Sequence, residues 1–258
     1  MSSNKKNSDI YGDLDKDTKG IDNPLIPAAT VVLLRETAQG QMQVLMLQKN
    51  LNISFGGMWV FPGGRIDDGD YSDQKAVRGN LNQDLAEESM NAARRAAVRE
   101  AEEETGIKLD SEDFVYFAHW SPPASTPKRF ATWFFVATVS SDQEVNVDGE
   151  EILNHRWVDP IDAIQLQADG KIDLAPPTWI SLYHVGRYKN AKDVLSALAD
   201  QKDKIYETCI VKNELGVRVA LWAGDAGYDE ESVDVPGGRH RLVLEESGFV
   251  FENTVEQY

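Results

Sequence analysis

Residues 99–107 read Arg-Glu-Ala-Glu-Glu-Glu-Thr-Gly-Ile, which places four glutamates in the last two turns of a predicted helix. The carbonyl end of a helix carries partial negative charge, so each glutamate there costs about 0.3–1 kcal/mol. Glu100, Glu103 and Glu104 follow an i, i+3, i+4 spacing and share one helix face, which adds like-charge repulsion. Arg99 can pair with Glu103 at i, i+4 and relieves only part of it. Folding alone does not favour this cluster, whereas a divalent cation bound on that face would.

The ligand chemistry of this face is all carboxylate, with no cysteine or histidine nearby in the sequence. Oxygen ligands suit Mg²⁺, Mn²⁺ or Ca²⁺ rather than zinc. The spacing by itself is equally typical of a solvated acidic helix face. The context favours a site, because a strand that ends at Gly63-Gly64 precedes the helix and Gly106 is placed to end it.

The chain around this helix predicts mixed strands and helices. Strands over 28–34 and 43–48 form a hairpin, and a third over 59–61 stops at Pro62-Gly63-Gly64, where proline and glycine break strand pairing. Alanines recur at helical spacing up to Thr105 and predict a helix from about Leu85. Further strands are predicted over 114–119, 132–139, 156–158, 209–212, 217–222, 240–245 and 248–252, and helices over 159–164, 179–188 and 193–200. Without strict alternation, this order indicates the α/β class, a mixed sheet flanked by helices.

Composition excludes several classes of function. The 258 residues carry 26 Lys+Arg against 43 Asp+Glu, a formal net charge of -17, which disfavours nucleic-acid and membrane-surface binding. Cys209 is the single cysteine, which excludes an internal disulfide framework and agrees with a reducing cytoplasm. No apolar run reaches the roughly 18 residues of a membrane span, and no apolar stretch follows Lys5 and Lys6 as in a signal peptide. We therefore expect a cytoplasmic protein.

Residues 99–107 resemble the second half of the Nudix box, which reads Arg-Glu, aliphatic, any residue, Glu-Glu, any residue, Gly, aliphatic. Gly64, five residues and then Asp70 resemble its first half, in which the family has glutamate at the last position. Asp70 and Arg99 are separated by 28 residues, far more than in the family's box, so an insertion at about 71–84 splits it. This leaves the role of Asp70 open.

The resemblance implies a Nudix-type α/β/α sandwich that hydrolyses a diphosphate linked to a group X, with Mg²⁺ or Mn²⁺ as the cofactor. Such substrates are anionic, so an acidic protein needs a bridging cation to hold them. A later loop often adds a glutamate as base or extra ligand, and spacing before Trp157 favours Glu151 over Glu150, although a solvated turn explains both. The implied metal-binding residues are the backbone carbonyl of Gly64 with Glu100, Glu103 and Glu104, and the implied catalytic residues are Arg99, Glu100, Glu103, Glu104 and Glu151.

A branch of the family that includes peroxisomal coenzyme A diphosphatases resembles the chain further, through a split box, the Val-Phe-Pro-Gly-Gly entry and residues 127–135. Coenzyme A or an acyl derivative is therefore the first substrate expected, with NADH or a nucleotide sugar as the alternative. Lys128 and Arg129 are candidates for binding substrate phosphate, or else a surface pair. A non-catalytic nucleotide sensor is a further alternative, but such domains usually lose box glutamates. A structural Ca²⁺ protein would need more loop oxygens than Asp67, Asp68 and Asp70 provide.

Three regions are expected along the chain. Residues 1–24 form a polar, loose tail, residues 25–170 the Nudix domain with the insertion, and residues 171–258 a C-terminal α+β extension packed on it. No motif assigns the extension a role: it could cap the sheet, shape the substrate pocket or form a homodimer contact. The expected partner is a small-molecule diphosphate.

Overall fold

A mixed sheet crosses the computed structural model, which describes residues 23–72, 83–201 and 204–255. Within these residues the sheet has eight strands in the order β3-β2-β1-β6-β5-β8, with β4 paired to β1 and β7 to β2. The pairs β1–β6 and β5–β8 are parallel, and the other pairs are antiparallel. The strands are β1 (Leu25–Glu36), β2 (Met42–Lys49), β3 (Trp59–Val60), β4 (Gly63–Arg65), β5 (Val115–Ser121), β6 (Arg129–Thr138), β7 (Ile152–Val158) and β8 (Ile205–Glu207).

The central strand β1 is covered on both faces, and residues 28–34 are buried without interruption. A strand buried on both faces is expected to read as a continuous apolar run, and Val31 to Leu34 is such a run. It forms the predicted hairpin with β2, where Leu34 lies opposite Val44. This pairing confirms the hairpin prediction.

Helix α1 (Gln83–Thr105) covers one face of the sheet. Its alanines at 92, 93, 96, 97 and 101 are fully buried and pack with Val31 and Leu33 of β1 and Leu45 and Leu47 of β2. The small side chains bring the helix close to the sheet. Gly106 has a φ of 71° and donates its N–H to the Glu102 carbonyl at 2.8 Å, so the helix ends where glycine can adopt the left-handed conformation. The last turn of α1 thereby comes to lie beside β4.

The opposite face is covered by three helices and a second, antiparallel sheet. The helices are α2 (Pro160–Ala168), α3 (Pro176–Val185) and α4 (Ala191–Ala199), and the second sheet consists of β9 (Cys209–Lys212), β10 (Arg218–Leu221), β11 (His240–Glu245) and β12 (Gly248–Asn253). Trp120 of β5 stacks on Tyr206 of β8 with 3.8 Å between ring centroids, and Trp222 meets Trp120 edge-on. The α/β class and the sandwich of helices around a mixed sheet are confirmed.

The third strand ends at Val60, just before Pro62-Gly63-Gly64, as predicted, but the expectation that the two glycines break strand pairing is wrong. After Pro62, the two glycines continue into β4, and Gly63 pairs with Thr30 of β1. A β-carbon on Gly63 would lie 2.4 Å from the Ala29 carbonyl oxygen, so the strand approaches β1 because glycine has no side chain. The Pro62 carbonyl also accepts hydrogen bonds from the Val31 N–H and the Thr30 hydroxyl.

The predicted C-terminal extension shares a core with the region before it. Val32 and Met46 of the large sheet belong to the same buried cluster as Trp179 and Trp222. The division at 170 and 171 stays a prediction. Most of the expected tail (residues 1–22) and of the insertion (residues 73–82) lies outside the described residues.

Within the part of the chain that the structure describes, no helix combines the length and the apolar character needed to cross a bilayer.

Candidate functional site

The Glu100 carboxylate lies against the backbone of β4. A β-carbon placed on Gly64 would be 2.4 Å from the Glu100 carboxyl carbon and 2.5 Å from both of its oxygens. Any side chain at Gly64 would therefore occupy the space that the carboxylate fills. The two halves of the split motif, far apart in sequence, come together at this contact.

Arg99 connects the carboxylates on this side of the site. Its guanidinium donates to Glu100 at 2.9 Å, to Glu103 at 3.2 Å and to the Arg65 carbonyl at 3.0 Å. The predicted i, i+4 pair of Arg99 and Glu103 is thereby confirmed. Because the guanidinium is a planar fork, these contacts fix both carboxylates relative to β4.

Asp70 is the second anchor of Arg99. Its carboxylate accepts from the Arg99 guanidinium at 2.9 and 3.3 Å and from the Asp67 N–H at 2.9 Å. Asp70 is buried and lies in a short 3-10 helix, Asp68–Asp70, ahead of the insertion. The structure thus gives Asp70, whose role the sequence left open, a partner in the site: it holds the arginine that holds the glutamates.

Glu104 is the most buried carboxylate of the helix end, with 3% of its surface exposed. Its Oε2 accepts from the Gly63 N–H at 2.9 Å, whereas its Oε1 is buried without a hydrogen-bond partner. Burial raises the pKa of Glu104 to about 8, against the opposing effects of the Lys49 ammonium and the Gly63 N–H. Burial also raises the pKa of Glu100. A carboxylate with an unused buried oxygen is poised to gain a cationic ligand.

Lys49 links Glu104 to Glu151. Its ammonium lies 2.5 Å from the Glu151 carboxylate and 3.5 Å from Glu104 Oε1. Pairing of β2 with β7 places Lys49 opposite Ile152, and the Asp148 side chain accepts from three successive N–H groups, those of residues 150–152. The strand register and this capped turn thus bring Glu151 to the helix end, and its catalytic role stays a prediction. The Glu150 carbonyl instead accepts from the Asn50 side chain.

Lys49 is a residue of this cluster that the sequence motifs did not predict. Its position at the end of a strand can be predicted from the sequence, but its proximity to Glu104 depends on tertiary packing. The sequence feature that could have indicated a role is a single lysine at the end of an apolar strand, five residues after Val44.

The predicted phosphate-binding pair, Lys128 and Arg129, has other partners among the described residues. The Arg129 guanidinium donates to the Pro122 carbonyl at 3.2 and 3.3 Å and to the Asn23 carbonyl at 3.0 Å, and thereby ties down the start of β6. The Lys128 ammonium is exposed and donates to the Ser54 hydroxyl at 3.2 Å. Neither residue makes a described contact with the box glutamates, so their substrate role stays a prediction.

A groove of about 590 Å³ runs along α1 beside this cluster, and its lining includes Arg95, Arg99 and Glu103. This groove lies next to the box glutamates, and part of a substrate could extend into it. Lys128 and Arg129 do not line it.

The carboxylates of this cluster are candidate ligands for a divalent cation. Among the residues that the structure describes, no three His, Cys, Asp or Glu side chains are already grouped around one cation position. The glutamates are instead paired with separate cations. Glu103, which is 60% exposed, pairs with Arg99, and Glu104 faces the Lys49 ammonium. The donor set is all oxygen, and Glu104 Oε1 has only its ion pair with Lys49 and no hydrogen-bond partner, so the residues fit Mg²⁺ or Mn²⁺ once the lysine contact is exchanged.

Comparison with known proteins identifies relatives of this architecture. The family model for the NUDIX domain matches residues 24–178. A curated Caenorhabditis elegans protein described as a nudix hydrolase is 24% identical over 186 residues, which cover 64% of this chain and 61% of the relative. This chain thus matches less than two thirds of that relative's length. The crystal structure of a NUDIX hydrolase from Alicyclobacillus acidocaldarius superposes with a TM-score of 0.57 at 21% identity, covering 70% of this chain and 100% of the other.

Proposed function

The chain belongs to the NUDIX family, and on that premise we propose that it is a metal-dependent hydrolase of a diphosphate bond in a nucleoside-diphosphate-linked substrate. The observation that carries the proposal is the buried Glu104 Oε1, which lies beside Glu100, has no hydrogen-bond partner and is balanced only by the Lys49 ammonium at 3.5 Å. An unsatisfied buried carboxylate oxygen costs folding free energy, and a bound cation is the ligand that would offset this cost.

The proposed metal-binding residues are Glu100, Glu103 and Glu104 with the backbone carbonyl of Gly64. Bound Mg²⁺ or Mn²⁺ supplies polarisation of the phosphoryl oxygens and lowers the pKa of a coordinated water. Hard cations prefer this set of oxygen donors, and Gly64 leaves the room in which the Glu100 carboxylate sits.

The protein's own residues position the reaction. Arg99, held by Asp70, fixes the carboxylates of Glu100 and Glu103. Glu151 is half exposed at the rim of the site, where its carboxylate can accept a proton from an attacking water. Burial raises the pKa values of two adjacent carboxylates, Glu100 and Glu104.

Coenzyme A or an acyl derivative is the first substrate that we propose. Its support is the resemblance of residues 127–135 and of the split box to the coenzyme A diphosphatase branch. NADH and a nucleotide sugar are the alternatives within the same reaction. We propose a cytoplasmic site of action for all three.

A substrate screen with product analysis tests the function. Coenzyme A, an acyl derivative, NADH and a nucleotide sugar are each incubated with the full chain and Mg²⁺ or Mn²⁺, and the phosphate-bearing products are identified by mass. Cleavage that disappears with chelator is expected. Binding of a nucleotide with no product from any substrate would favour the non-catalytic sensor.

Substitutions in the last turn of α1 test whether the activity depends on the proposed metal-binding residues. Glu103→Gln and Glu104→Gln are each expected to lower turnover by orders of magnitude with the fold intact. Glu102→Gln is the matched control for the charge change, because Glu102 is half exposed, pairs with Lys108 and is not among the proposed metal ligands, although it lines the groove. Near-wild-type turnover in both site variants would contradict the metal-site assignment.

A further inference from the structure

Lys49 is a buried cation inside the carboxylate cluster. Only 11% of its side chain is exposed, although lysine is among the residues least often buried. Its ammonium is close to Glu151 at 2.5 Å and to Glu104 Oε1 at 3.5 Å. Burying an ammonium is expensive unless it is paired, so these two carboxylates account for its position.

The two contacts are unequal. Glu151 is hydrogen-bonded to the ammonium, whereas the Glu104 Oε1 contact is an ion pair without hydrogen-bond geometry. Lys49 therefore balances the charge of Glu104 while leaving its free oxygen unsaturated. Another cation can therefore replace the ammonium at Glu104 Oε1 while the ammonium stays hydrogen-bonded to Glu151.

We propose that Lys49 is a positioning residue that serves as the exchangeable counter-ion of the metal site. This inference rests on the proposed function, since it takes Glu104 as a metal ligand. In the metal-free protein the ammonium stabilises the carboxylate cluster at the end of α1. On metal binding it withdraws from Glu104 and keeps its bond to Glu151. Two cations next to one oxygen repel each other, so the lysine weakens metal binding in return for a stable metal-free fold.

Removing the lysine charge separates these two effects. Lys49→Met is expected to bind Mn²⁺ at least about tenfold more tightly than wild type, which corresponds to about 1.4 kcal/mol. Its melting temperature without metal is expected to fall, because Glu104 is left buried without a counter-charge. Lys49→Gln should show the same tightening while keeping a hydrogen-bond donor for Glu151, and it serves if the methionine variant does not fold. Mn²⁺ affinity is measured by electron paramagnetic resonance of free Mn²⁺ with the full chain in chelator-treated buffer.

Two controls isolate the position. Lys49→Arg keeps the charge and is expected to leave the affinity within about threefold of wild type. Lys108→Met removes an exposed lysine that pairs with Glu102 at 3.6 Å, on the same helix end but outside the site, and should change neither quantity. In a Glu104→Gln background, Lys49→Met should lower the melting temperature less than it does in wild type, because only the bond to Glu151 is then lost.

The outcomes distinguish this inference from the proposed function. Unchanged or weaker Mn²⁺ binding in folded Lys49→Met or Lys49→Gln overturns the counter-ion role and leaves the metal site standing, provided that Glu104→Gln weakens binding. Wild-type protein that binds no Mn²⁺, or Glu104→Gln that binds it as tightly as wild type, overturns the metal site and the counter-ion role together.

Discussion

Replacing Gly64 by alanine tests whether Glu100 depends on the missing side chain in β4. The new β-carbon would lie 2.4 Å from the Glu100 carboxyl carbon. Non-bonded carbons settle at about 3.5–4.0 Å, so the carboxylate must move by about 1 Å or more. The displaced atoms are the end of a flexible side chain, and an off-rotamer position costs about 0.5–1.5 kcal/mol.

Function should suffer far more than folding. A displacement of about 1 Å in a positioned group can reduce the rate about 100-fold. The melting temperature should fall by only about 2–4 °C per kcal/mol for a domain of 150–250 residues. The assay is kcat with the best substrate of the screen, beside thermal melts in the same buffer.

The neighbouring glycine is the matched control. In Gly63→Ala the β-carbon would lie 2.4 Å from the Ala29 carbonyl oxygen, a backbone atom that cannot move without separating β1 from β4. This variant should therefore lose stability or fail to fold. Folded Gly64→Ala with wild-type kcat would refute the reasoning, because the Glu100 carboxylate would then contribute nothing from the position described.

The remaining predictions concern ionisable groups. The pKa of Glu104 is about 8 in the folded protein against an ordinary 4.5, so metal-free wild type should lose up to about 4–5 kcal/mol of unfolding free energy between pH 4.5 and 8. Glu104→Gln should lack this loss, and parallel melting-temperature profiles for the two proteins in chelator would contradict it. Asp70→Asn should weaken the hold on Arg99 and cost about 1–3 kcal/mol as well as turnover, with Asp70→Glu recovering the turnover; unchanged kinetics would remove Asp70 from the site. The Asp225–Arg241 pair is buried and the pKa of Asp225 is about 2 against 3.8, so its stabilisation is present above pH 3.8 and is lost as the pH falls toward 2. Asp225→Asn should cost about 3–5 kcal/mol at neutral pH, measured by denaturant unfolding, and a change below 1 kcal/mol would contradict a structural role.

Local sequence patterns predicted most of the elements. Alanine spacing and Gly106 defined α1 to within two residues at its start, and the apolar run of β1 predicted a buried strand. β4 was missed because glycine normally weakens strands, and here its small size is what permits the pairing. β8 was missed because a three-residue strand carries too little pattern.

The candidate site was only partly readable. The box glutamates and Arg99 are adjacent in sequence, so their cluster could be predicted from helix geometry alone. The contact between Asp70 and Arg99 could not be predicted, because the insertion separates the two residues in the sequence. The position of Lys49 could not be predicted either, because it depends on the strand register that brings β2 next to the turn before β7. Arg129 shows the reverse: an arginine predicted to bind substrate phosphate is engaged by backbone carbonyls. Residue type predicts affinity for phosphate, whereas the folded neighbours decide what an arginine contacts.

The pairing of β8 with β5 has a consequence for biosynthesis. Strand β8 begins at Ile205, beyond the family match that ends at 178, and it covers the outer edge of β5 and the ring of Trp120. A nascent chain that has left the ribosome only up to residue 178 would therefore carry an uncovered strand edge and an exposed indole. Open edges of this kind recruit other chains. The strand edge and the indole are therefore covered only after the last third of the chain has been synthesised.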